Sequence, residues 1–154
     1  MINEQYSEYA WQKAAQLLAI DSPSGFTAKA AAWVKQEFET LGFAARITTK
    51  GGVLVDLGGE TPADGLLLEV LMDTLGGMVS QVKGNGRLKL TAIGGMRAEN
   101  GEAENVRVYT RDGGVFEGTL QLCNASGHVN GDYKTAKRDF DTTELVLDED
   151  VKAS

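Results

Sequence analysis

The apolar positions of this chain repeat with two periods, helical at first and strand-like later. From Asn3 to Leu18, Tyr6, Tyr9, Ala10, Ala14, Leu17 and Leu18 recur at helical spacing, and Trp11 widens the stripe. This predicts an amphipathic helix whose aromatic side chains enter the core. Ile20-Asp21-Ser22-Pro23-Ser24-Gly25 breaks it, because proline and glycine both oppose continuation. Thr27 then stands where an N-cap belongs, and Ala28–Leu41 repeats the pattern with Ala30, Val34, Phe38 and Leu41 as the buried stripe. Gly42 closes this helix at a position that tolerates left-handed backbone.

Strands follow. Phe43–Thr49 and Val53–Leu57 flank Lys50-Gly51-Gly52, the signature of a hairpin, and Gly58-Gly59 with Pro62 marks a loop. Next comes Gly65–Val79, GLLLEVLMDTLGGMV, around which the first half is organised. Leu66–Leu71 is apolar except for Glu69, and a run this short predicts a strand buried on both faces. Leu66, Leu68, Val70 and Met72 would share one face, and Leu67, Glu69, Leu71 and Asp73 the other. An acid at the mouth of a buried strand, followed by a break, is where α/β enzymes place chemistry, so Asp73 is the candidate site residue. Its plainer reading is an acid that ends the strand and meets solvent.

Beyond Gly77 no helical pattern returns. Met78–Val82 and Arg87–Thr91 flank Gly84-Asn85-Gly86, the strongest short hairpin signal in the chain. Val106, Val108 and Thr110 alternate with Arg107, Tyr109 and Arg111, Asp112-Gly113-Gly114 turns into Val115–Leu122, and Thr143–Leu147 forms a last strand. Short strands at this spacing predict a small antiparallel barrel or sandwich, with the boundary between the two parts near Thr74–Gly77.

Composition narrows the function. A net charge of −7 and a pI near 4.7 leave no basic cluster to neutralise phosphates, so no nucleic-acid partner is expected. No apolar run is long enough to span a membrane, and the N-terminus lacks a signal pattern; a cytoplasmic, membrane-free protein is the expectation. Cys123 is the one cysteine, excluding an intramolecular disulfide, and His128 is the one histidine, without neighbours at ligand spacing. The late acids Asp139, Asp141, Glu144, Asp148, Glu149 and Asp150 read as a solvated edge.

Ser22-Pro23-Ser24-Gly25 between two helices, a hairpin, an apolar strand ending in Met72-Asp73, and Ile93-Gly94-Gly95 within a β-rich part together resemble a known family. It is that of the cytoplasmic metallo-aminopeptidases that form tetrahedral particles, including glutamyl and deblocking aminopeptidases. The resemblance implies the α/β start of a metallopeptidase catalytic domain (two helices, hairpin, buried strand) over residues 1–74. Residues 75–150 would then be a small antiparallel β-barrel, PDZ-like insert domain that serves assembly, making a homo-oligomer the expected state. Intact relatives are expected to use two zinc or cobalt ions to hydrolyse the N-terminal residue from a peptide. The family places a histidine ligand two residues before its aspartate. Here the aspartate is Asp73, a candidate for orienting that ligand, but the ligand position holds Leu71, which binds no metal. No cofactor is therefore expected for this chain alone.

Three readings compete. The chain is a truncated or degenerate member of the family, inactive alone; or one half of a split enzyme, against which Leu71 counts; or a non-enzymatic module whose β domain binds a peptide by edge addition. The first fits the residues best.

Overall fold

The computed structural model describes residues 4–61 and 63–151, so Asn3 at the expected helix start and Pro62 in the expected loop lie outside the described residues. The chain divides into two compact units, Met1–Leu75 and Gly76–Ser154.

The first unit carries helices α1 (Glu4–Leu18) and α2 (Ala28–Thr40) and the antiparallel strands β1 (Ala45–Ile47) and β2 (Val53–Val55). Gly42 adopts φ of +90°, the left-handed conformation that ends a helix, and lets Phe43 return to Phe38 with ring centroids 6.4 Å apart. The expected N-cap at Thr27 is absent: its side chain makes no capping hydrogen bond, and Thr27 enters the helix only through its carbonyl, which accepts from the Ala31 N–H at 2.9 Å. The expected aromatic core is also absent. No residue of α1 is buried, Tyr6 and Trp11 stand in solvent, and of the stripe on α2 only Ala30 and its neighbour Ala31 are buried. Lys13 ties the helices instead, by an ion pair to Glu37 and by lying over the rings of Tyr9 and Trp33 at 5.6 and 5.9 Å.

The largest departure is Gly65–Met72. The segment is extended but joins no ladder, and Leu66, Leu67, Leu68, Val70 and Leu71 are 71–90% exposed. A strand apolar on both faces needs neighbours on both edges and cover on both faces. The two-stranded sheet β1–β2 is the sheet that the described residues of this unit form, and it does not reach the segment.

The second unit matches its pattern more closely. Strands β3 (Gly76–Val82), β4 (Leu88–Ile93), β5 (Asn105–Tyr109), β6 (Val115–Leu122) and β7 (Thr143–Leu147) form one antiparallel sheet in the order β3-β4-β7-β6-β5. It curls into a half-barrel with β3 and β5 at its edges, where a closed barrel or sandwich was expected. Leu88, Leu120 and Leu145 form the core, supported by Leu90, Val106, Val108 and Leu147. Gly118 is required by close packing: a Cβ there would collide with the backbone of Val146 on β7.

Candidate functional site

The residues around Asp73 come from two stretches far apart in sequence. The break after α1 turns through Gly25 and is closed by the Phe26 N–H donating to the Pro23 carbonyl at 2.8 Å. That turn holds the end of the extended segment. The Thr74 N–H donates to the Ser22 carbonyl at 2.9 Å, and Pro23 and Thr74 form a parallel bridge. Ser22 is buried, with its hydroxyl 3.4 Å from the Met72 carbonyl. The Ser24 hydroxyl donates to Oδ2 of Asp73. The aspartate is thus fixed in orientation by a neutral donor at a half-buried position.

Asp73 opens onto a trough of about 900 Å³, within the size range of small-molecule and peptide sites. Tyr9, Leu17, Trp33, Val34 and Phe38 of the helices line it, opposite Val53 and Leu54 of β2 and the segment Leu67–Asp73. Leu71, two residues before Asp73, contributes hydrocarbon and is 82% exposed. Among the described residues no three histidine, cysteine or acidic side chains converge to hold a metal. A carboxylate bound to a serine, with leucine at the neighbouring position, does not match the donor set of a zinc site. His128 belongs to the second unit and is exposed in a turn region, with no converging ligands.

The second unit holds a denser polar cluster that the sequence pattern did not reveal. Glu144, read as part of a solvated acidic edge, is 3% exposed. Its carboxylate accepts from Lys83 Nζ at 2.8 Å and from the Arg87 guanidinium. Burial pushes the Glu144 carboxyl up, but the hydrogen bonds from Lys83 and Arg87 outweigh it and hold the group below its ordinary range. Glu144 raises the Lys83 ammonium in return, and Lys83 also lies 3.6 Å from the Cys123 thiol. The partners sit 57 and 61 residues from Glu144, on either side of the first turn of the sheet, so spacing gave no signal. Two cations closed around one buried acid form a structural clamp.

The model of the M42 glutamyl aminopeptidase family matches residues 51–154. The chain is 32% identical over 136 residues to YhfE of Bacillus subtilis (strain 168), which its name assigns to the aminopeptidases; the match covers 88% of this chain and 39% of that one. Among solved structures, the aminopeptidase APDkam598 from the archaeon Desulfurococcus kamchatkensis superposes with a TM-score of 0.74 at 21% identity, covering 88% of this chain and 36% of that one. PhTET1-12s, solved as a dodecamer, superposes with a TM-score of 0.73 at 18% identity, covering 92% and 40%. The chain spans about two fifths of the length of these relatives.

Proposed function

The chain belongs to the M42 glutamyl aminopeptidase family, whose members are metal-dependent peptidases, and from that premise we propose that it supplies scaffold without a complete active site. Residues 1–74 serve as the N-terminal part of the catalytic α/β domain and 75–150 as a PDZ-like assembly domain. The observation that carries this reading is the donor set at Asp73: a serine-bound carboxylate with Leu71 beside it. Two zinc or cobalt ions, as proposed for intact relatives, would supply the activated water and polarise the peptide carbonyl. This chain's share is Asp73 as a positioning group and the trough as a peptide-sized surface. Purified alone, the cytoplasmic protein is expected to release no product from aminoacyl anilides, with or without added zinc or cobalt. Turnover that scales with the protein and survives chromatography would defeat this proposal.

The same reading makes the chain a homo-oligomer. Support comes from the exposed leucines of Gly65–Met72 and from the dodecameric relative. Sedimentation of a micromolar sample tests it, and a lone monomeric boundary would count against it. A peptide-binding reading has one observation in its favour. Strand β3 is an edge strand with Met78, Val79 and Val82 exposed, the geometry that accepts an added strand. Chemical-shift changes confined to β3 on adding an extended apolar peptide would favour it over the scaffold reading.

A further inference from the structure

Two open backbone edges face one trough. Strand β2 pairs with β1 alone and leaves its other edge free, while Gly65–Met72 is extended without a ladder. Val53 and Leu54 line the trough from one side and Leu67–Met72 from the other, over the apolar side chains of Trp33, Val34 and Phe38. Unpaired edges flanked by exposed leucines are unstable in water and seek a partner. The trough also carries two charges of opposite sign, Lys50 in the hairpin turn and Glu69 in the segment. Both are exposed, and neither forms an ion pair among the described residues.

The ends of the segment suit a hinged strap. Its C-terminal end is already held, since Met72, Asp73 and Thr74 bond to Ser22 and Ser24. Towards its N-terminal end, Gly58, Gly59 and Gly65 stand in open space. We propose that Gly65–Met72 closes onto the free edge of β2, extending the two-stranded sheet to three strands. The pairing is antiparallel, with Leu67, Leu68 and Glu69 opposite Val55, Leu54 and Val53. That register brings Glu69 to the turn end of the hairpin, within reach of Lys50, and charge complementarity selects it. It also turns Leu67 and Leu71, which share a strand face with Glu69, into the trough. Leu66, Leu68, Val70 and Met72 stay outward as a surface for other copies. The proposal does not depend on the peptidase reading.

Amide exchange on the full chain tests it. At concentrations where the protein is monomeric, amides 66–71 are expected to exchange roughly tenfold or more slower than an unpaired chain. Glu69→Lys and Lys50→Glu should each abolish that protection, and the charge-swapped double variant should restore it. In a Cys123→Ser background, Leu54→Cys with Leu68→Cys should form an intramolecular disulfide, because the pair lies directly opposite in the proposed register. Disulfide-linked dimers, or protection that grows with protein concentration, would show that a second copy fills the trough and would overturn the proposal. Unprotected amides 66–71 in the wild-type chain would overturn it too, whatever the variants do.

Discussion

The two units use apolar residues in opposite ways. In the second, leucines from β4, β6 and β7 meet in one core, and each strand between β3 and β5 has neighbours on both sides. In the first, the buried apolar residues are Ala30 and Ala31, while the most leucine-rich stretch of the chain lies in solvent. Both were built from comparable sequence patterns. The difference teaches that an apolar run states a demand for burial, and that the demand is met only where partner strands fold beside it.

The largest effect is expected where that demand is met. Leu145 is fully buried at the centre of the core, and Leu145→Ala should cost about 3 kcal/mol, the usual figure for a leucine truncated in a packed interior. Urea unfolding followed through the β-unit should show an earlier midpoint. If the variant unfolds like the wild type, the contrast between the units is overstated.

Glu144→Gln should cost less, about 2 kcal/mol, since it leaves Lys83 and Arg87 partly solvated and able to find water. The pH dependence carries a sign. The folded state holds the Glu144 carboxyl below its ordinary value of 4.5, so the clamp stabilises fully above that value and weakens as pH falls through the depressed one. The ammonium of Lys83 is raised above 10.5, so its contribution is lost only as pH rises past that range. Asp139 is held at about 2 by Lys137 and the Thr142 and Asp141 amides, but it is fully solvated and ranks with surface pairs. Wild-type stability should therefore be flat through neutrality and fall below about pH 4.5, and Glu144→Gln should blunt that acid limb. An unchanged acid limb would mean that the clamp is not what titrates.

Which parts of this were legible in the sequence follows from how local each signal is. Turns announced themselves: Gly84-Asn85-Gly86 and Asp112-Gly113-Gly114 lie between paired strands, and Gly42 ends α2 in the left-handed conformation it suggested. Thr143–Leu147 fell on β7 residue for residue. The fate of Leu66–Leu71 was not legible, because periodicity records which faces want cover and not whether cover exists. Glu144 was hidden for a related reason. It stands among acids that are solvated, and its cations come from the far side of the sheet's topology. Around Asp73, the Ser22-Pro23-Ser24-Gly25 stretch drew notice, but the bond from Ser24 to the carboxylate is tertiary and emerged only from the fold.

The smallest effect is expected at the position most charged with functional meaning. Leu71 is solvent-exposed and packs against no core, so Leu71→His should change stability by no more than about 0.5 kcal/mol. The same substitution in the second unit's core would be ruinous. It should also fail to create a metal site. A structural or catalytic zinc takes three or four protein ligands, and the variant would offer one imidazole beside a carboxylate already engaged by Ser24. A site with two protein donors leaves most of the coordination shell to water and releases its ion on dilution. Equilibrium dialysis against micromolar zinc, with metal counted per chain and melting followed in parallel, reads both expectations at once. Stoichiometric zinc retained through dialysis, with a raised melting temperature, would show that ligands already converge there and that the first unit is nearer to an active site than its geometry implies.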